Sequence, residues 1–183
     1  HTQVYFIDNE DYFKRKQLER DDKGVFFEDN DERAIFFARG VLETVKKLRW
    51  APDVIHCHGW ISHLLPVYLK KAYKDDPIFT NSKVVISFYN NVPNETFDEN
   101  FIEKAMFGGV GEKELNLLKE PNGINLAKLA AKSADGAIMV GDGIPSSLVS
   151  YCRDRGLSVL KSKSKSISDG SYIEEYNAFY DQL

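Results

Sequence analysis

The 183-residue chain is poor in cysteine, with only Cys57 and Cys152, far apart. Two thiols so placed exclude a disulfide framework and fit a reducing compartment, so a cytoplasmic location is expected. The chain also lacks any long hydrophobic run. Nothing approaches the ~18 apolar residues of a membrane span, and no secretory leader is legible, so no membrane partner is expected. Positive charge is not in excess: 24 Lys and Arg against 28 Asp and Glu leave a net charge of −4. Nucleic-acid partners usually demand a basic face, so that class is excluded as well. The metal-binding spacings Cys-x-x-Cys and His-Glu-x-x-His are missing. Methionine is missing from the first position. His1 leads almost at once into the apolar run "VYFI", so the chain reads as starting in mid-protein.

What remains is an ordinary globular composition, 43% hydrophobic and 28% charged. The length suits one domain with a real core. Gln3 to Ile7 reads as a strand, and Asp8 to Lys23 as a loop with a short helical turn. Asp29 or Asn30 caps a long helix, Asp31 to Arg49, whose Phe37, Val41, Val45 and Leu48 recur at helical spacing. Strands are expected at Val54 to His58, Lys83 to Tyr89, Gly136 to Val140 and Leu157 to Leu160. Helices are expected at Ser62 to Tyr73, Asn125 to Ser133 and Pro145 to Arg155, with a shorter one near Glu112 to Leu118. Short apolar strands alternating with helices predict an α/β fold: a mostly parallel, Rossmann-like doubly wound sheet with helices on both faces. Ligands in such sheets bind beyond the carboxyl ends of the strands. That points to the positions after His58, Tyr89 and Val140.

The tail divides in two. "KSKSKSIS", Lys161 to Ser168, is basic and low in complexity and reads as a solvated connector. Beyond it, Tyr172, Ile173, Tyr176, Phe179, Tyr180 and Leu183 form the stripe of an aromatic helix that must pack on something.

The densest chemistry lies in "DVIHCHGWISHLL", Asp53 to Leu65. His56 and His58 share one strand face and Cys57 takes the other. Two strand histidines could begin a zinc site, but a third and fourth ligand would have to come from His1 or His63. Cys57, mid-strand among apolar residues, reads as a small buried hydrophobe rather than a nucleophile. "FGGVG", Phe107 to Gly111, has phosphate-loop glycines without the preceding strand or the closing Lys-Ser, and reads as a flexible loop. The acids of "EDNDE", Glu28 to Glu32, suit a helix start. His58, Gly59 and Trp60 occupy a strand-to-helix turn, which places the Trp60 indole at the mouth of the expected cleft.

Several segments, in order, resemble bacterial glycogen synthases and plant starch synthases. "PDVIHCHGWISHLLPVYLK" resembles that family's Asp-Val-x-His-x-His-Asp-Trp-His segment. "VYFIDNEDYFKR", "EDNDERAIFFARGVLE", "KVVISFYNN" and "LAKLAAKSADGAIMV" resemble further family segments across Val4 to Arg155. The short glycogen-synthase-like proteins of Bacteroidetes-type bacteria are the most similar in this reading. The resemblance implies a GT-B glycosyltransferase that moves glucose from ADP-glucose or UDP-glucose to the end of an α-1,4-glucan, without a cofactor or metal. It implies sugar-binding roles for His58, Gly59, Trp60 and Asn90, with Tyr89 at the family's reaction-centre histidine. The chain departs from the pattern where Asp-Trp-His becomes Gly59-Trp60-Ile61 and His-Asn becomes Tyr89-Asn90. The family's first strand with its Lys-Thr-Gly-Gly-Leu loop, and its nucleotide-sugar domain, have no counterpart in these residues. The expected layout is an acceptor-side domain at 1–160, a linker at 161–170 and a helix at 171–183 that packs back. The chain by itself is expected to be inactive, with a degenerate glucan-binding or scaffold module as the alternative, and to be open to self-association through an uncovered sheet edge.

Overall fold

Val84, Val85, Ile86 and Phe88 form an almost unbroken apolar run, which is stable as a strand only where both faces are covered. A computed structural model describes residues 2–163 and 168–183. It places this run, as β2 (Lys83–Phe88), inside a four-stranded parallel sheet with β1 (Val54–His58), β3 (Gly136–Val140) and β4 (Ser158–Ser162). The order is β1-β2-β3-β4, with His56 opposite Val85, Ser87 opposite Ile138 and Ile138 opposite Leu160. The fold is α/β and Rossmann-like, as the alternating pattern predicts.

The strand order never reverses, so the crossovers collect on one face. There Cys57, Val84, Ile86, Phe88, Ala137 and Met139 pack against α2 (Asn30–Leu48), α3 (Leu65–Val67), α4 (Phe101–Ala105), α5 (Gly123–Ser133) and α6 (Ser146–Asp154). A four-residue helix, α1 (Glu10–Phe13), precedes α2. The second face is covered among the described residues by α7 (Tyr172–Tyr180), whose Tyr176 and Phe179 pack on Val85, Ile138 and Val140. Gly136 makes this close approach feasible. A Cβ there would lie 2.9 Å from the Phe179 ring and 3.1 Å from Leu183. Ile173 is 54% exposed, so it leaves the stripe expected of this helix.

Several expectations are revised. Gln3 to Ile7 is not a strand: among the described residues it pairs with no strand, Phe6 is 90% exposed and Ile7 packs by Gly40 of α2. In α2 the buried stripe is Ala34, Ala38 and Leu42, while Leu48 is 40% exposed. Small alanines let the helix lie close to its neighbours, a signal that size-weighted periodicity overlooks. The acidic run does more than favour the helix dipole. Asp29 takes a bidentate Arg15 at 2.6 and 2.5 Å, and the buried Asp31 pairs with Lys104 at 2.9 Å. Phe107 and Val110 exchange backbone hydrogen bonds around Gly108 and Gly109, both at positive φ, so "FGGVG" is a tight hairpin turn. The middle section forms α4 and a 3-10 turn, Asn116–Lys119, in place of a helix at Glu112 to Leu118. Lys161 and Ser162 of the expected connector complete β4, with Ser162 buried; residues 164–167 lie outside the described residues.

The segment after β1 begins as a 3-10 turn, passes through α3 and ends as a π-helix, Tyr68–Ala72, closed by Tyr73 N donating to Tyr68 O. The buried Tyr68 hydroxyl donates to the Ala105 carbonyl at 2.7 Å, which ties this helix to α4. Asp135, just before β3, accepts from Val84 N and from Lys70 at 2.8 and 2.6 Å, so one carboxylate aligns β2, β3 and the π-helix. Asn122 caps α5 through Asn125 N, and the following Gly123 sits where a Cβ would come within 1.9 Å of the Pro93 carbonyl oxygen. Gly123→Ala is therefore expected to cost ~2–3 kcal/mol by overpacking against backbone. Urea unfolding should show a lower midpoint with an unchanged slope.

Candidate functional site

The carboxyl ends of β1 and β2 carry the polar groups that the apolar strands otherwise lack. Parallel pairing puts His56, His58, Ser87 and Tyr89 on one sheet face, because register partners point the same way. The two imidazoles stack with centroids 4.1 Å apart. His58 Nδ1 lies 2.9 Å from the Tyr89 hydroxyl. His56 is held on both sides: its Nδ1 meets the Tyr180 hydroxyl at 2.5 Å and its Nε2 the Ser87 hydroxyl at 2.6 Å. One ring nitrogen donates and the other accepts, so both hydrogen-bonding positions of a neutral imidazole are used.

Burial, and after it the neighbouring His58, push the His56 pKa down to about 3. Burial also lowers that of His58, whose edge is open to solvent while its face rests on His56. Burial raises the Tyr89 phenol, so it stays protonated and able to donate. The Cys57 thiol, buried on the opposite face, is pushed up to about 12, which suits a packing role and not a nucleophile.

The expected residues separate into two groups. His58 and Asn90 are exposed and Tyr89 half-buried; His58 and Tyr89 meet through their hydrogen bond, and Asn90 follows Tyr89 in the chain just past β2. Trp60 does not lie at the cleft mouth. It is 5% exposed and packs between Phe26 and Phe97, with centroids 6.1 and 5.8 Å away. The 3-10 turn that starts at Trp60 directs the indole inward under α2. Gly59 sits at φ 74° and ψ 158°, a conformation that essentially only glycine adopts. Its role is to reverse the chain at the end of β1. His63 turns to the crossover face, 2% exposed, with its ring edge against Phe88 and its Nδ1 without a hydrogen-bond partner.

Sequence reasoning missed Ser87, Tyr180 and Gly143 as members of this region. Ser87 could have been found from strand alternation, since it lies between Val85 and Tyr89 on the histidine face. Tyr180 and Gly143 carry no comparable local signal. A Cβ on Gly143 would lie 3.3 Å from the Asn90 side chain. Gly143 also lines an open cleft of about 670 Å³ beyond β3 and β4, together with Gly141, Asp142 and Lys161, so Asn90 lies near one end of that cleft. The recess lined by Gly59, Trp60, Ser87 and Tyr89 holds only about 10 Å³, so the open space of this region lies on its rim.

Comparison with known proteins identifies the family. The family described as starch synthase catalytic domain matches residues 1–151. The glycogen synthase of Elusimicrobium minutum is 48% identical over 87 residues, 48% of this chain and 18% of the relative. That of Chlorobium limicola is 35% identical over 136 residues, 73% of this chain and 27% of the relative. That of Geotalea daltonii is 31% identical over 185 residues, 98% of this chain and 34% of the relative. The matched parts of the chain thus span from 18% to 34% of the length of these relatives. They carry the family, and not the narrower likeness to Bacteroidetes-type proteins.

Two outcomes are expected here. Gly59→Asp, although it restores the resembled family's residue, should destabilise the chain by ~1–3 kcal/mol through backbone strain, measured by urea unfolding. His63 carries a pKa of about 3 when folded, against ~6.5 when unfolded. Its contribution is full above ~6.5 and is lost as pH falls toward 3, because the unfolded chain binds the extra proton. His63→Leu should flatten the acid limb of the stability–pH curve by up to ~1.4 kcal/mol per pH unit, with stability at pH 7 equal or higher.

Proposed function

This chain belongs to the family of starch synthase catalytic domains, and from that we infer that it is the acceptor-side part of a GT-B glycosyltransferase of the glycogen synthase kind. The reaction is glucosyl transfer from a nucleotide sugar, ADP-glucose or UDP-glucose, to the non-reducing end of an α-1,4-glucan. The observation that carries the site assignment is the His58–Tyr89 hydrogen bond at the carboxyl ends of adjacent strands, beside the exposed Asn90 amide. An imidazole, a phenol and an amide on one rim present donors and acceptors together, which suits the hydroxyls of a glucose unit. His56, locked by Ser87 and Tyr180, holds the His58 ring by stacking. Gly59 shapes the rim through its backbone and Trp60 supports it from below.

Transfer needs the donor held against the acceptor, with positive charge on the leaving diphosphate. These 183 residues supply the acceptor side. The donor contacts come from residues outside them, in a longer chain or a partner, so this chain alone is inactive. The departures at Gly59 and Tyr89 favour a second reading, a glucan-binding module that no longer transfers. A phenol cannot take a proton as an imidazole does near neutral pH.

Affinity electrophoresis with and without glycogen tests the binding role. The chain should be retarded by glycogen, and His58→Ala and Tyr89→Ala should each weaken the retardation about tenfold, the ~1.4 kcal/mol of one lost hydrogen bond. Unaltered circular dichroism would show that the fold survives. No retardation at any glycogen concentration refutes the acceptor assignment. Adding a donor-side half and radiolabelled nucleotide sugar separates the two readings. Incorporation, raised by Tyr89→His, supports the enzyme; binding without incorporation supports the module.

A further inference from the structure

The second sheet face depends on one short helix, and the polar centre of that contact is a pair of histidines. Helix α7 is held by three features. Phe179 and Leu183 fill the notch at Gly136. The Glu175 carboxylate accepts from Ser162 of β4 at 3.3 Å. The Tyr180 hydroxyl closes on His56 Nδ1, with the Tyr176 ring 5.5 Å from the imidazole and its buried hydroxyl without a hydrogen-bond partner. The groups that face His56 are His58 from β1, Ser87 from β2, and Tyr176 and Tyr180 from α7. Tyr89 faces His58. None of these is a carboxylate, so an imidazolium formed here has no counter-ion among them.

We propose that α7 is a proton-released cover: uptake of protons by the stacked His56–His58 pair undocks α7 from the sheet and opens the histidine face, while the rest of the domain stays folded. The chemistry is a change of bonding role. A neutral His56 accepts at one nitrogen and donates at the other; an imidazolium only donates. A proton on either ring also places a cation on the face of the other at stacking distance, and two cations there repel. Undocking relieves both by returning the rings to water. The sign follows from linkage. The docked rings titrate below their ordinary range, the undocked rings near ~6.5, so docking is strongest above that value and weakens as pH falls below it. The carbonyl end of α7 lies on the Tyr180 side and favours a cation, which opposes release and sets how far the pH must fall.

The cover is distinct from global acid unfolding. His63, the other described buried histidine, lies in the crossover-face core with Phe88 and requires the whole domain to open. The proposal therefore predicts two separable events, α7 first.

Hydrogen exchange of the chain between pH 7.5 and 5.0, corrected for intrinsic rates and resolved by peptide, tests this. Protection in α7 should fall by up to about tenfold per pH unit for each titrating histidine below ~6.5, while α5, which exchanges only when the whole domain opens, stays better protected than α7 at every pH even as His63 lowers it. His56→Gln retains a neutral donor and acceptor and should remove one histidine's share of the pH slope. The double variant His56→Gln, His58→Gln should be flat, and Tyr180→Phe should expose α7 at every pH. The proposal is overturned if α7 and α5 exchange together throughout, or if the slope survives in the double variant. Should the double variant not fold, the ring-proton titrations of His56 and His58 decide. Rings that take up protons while α7 stays protected also overturn it.

Discussion

The structure depends on β2 being buried on both faces. Val84, Ile86 and Phe88 enter the crossover-face core, while Val85 and Ser87 lie under α7. A strand in this position loses all contact with water along its sides, so its backbone groups must pair with neighbours. β1 and β3 meet that demand in parallel register. The register then dictates which side chains gather at the carboxyl ends. His58 stands beside Ser87, and Tyr89 continues the same face. The candidate site is a consequence of the ladder rather than of any local loop motif.

The histidine pair shows how a polar cluster survives at the edge of an apolar sheet. His56 remains neutral because burial opposes its charge, and both of its nitrogens are satisfied by hydroxyls. Serine and tyrosine hydroxyls serve either role, so the network does not depend on one imidazole tautomer. The cost of burying polar groups is thereby offset. The same arrangement leaves His58 with one face packed and one edge free, which fixes a hydrogen-bonding group at the open end of the sheet.

Family membership and the departures from the family pattern fit the same physical picture. Gly59 occupies a backbone conformation that a side chain opposes, so its difference from the resembled aspartate is a matter of chain reversal as much as of lost polarity. Tyr89 replaces an imidazole by a phenol that reaches His58. Trp60 is buried with Phe26 and Phe97 and supports the turn from within. The substitutions alter the surface of the rim and leave its scaffold in place.

The sequence by itself determined the α/β class, the four strands to within two residues, the helices α2, α5 and α6, and the gathering of His58, Gly59, Tyr89 and Asn90 at strand ends. These follow from period and length, which are local properties of the chain. Tertiary structure decided the rest. It denied Gln3 to Ile7 a strand partner, turned Trp60 inward, chose the alanine stripe of α2 as the buried face, and continued β4 into Lys161 and Ser162. It also brought Tyr180 onto His56, across a separation in sequence that no periodicity spans. Ladder partners, burial direction and contacts between distant segments arise only when the chain closes on itself, so no local pattern could have encoded them visibly.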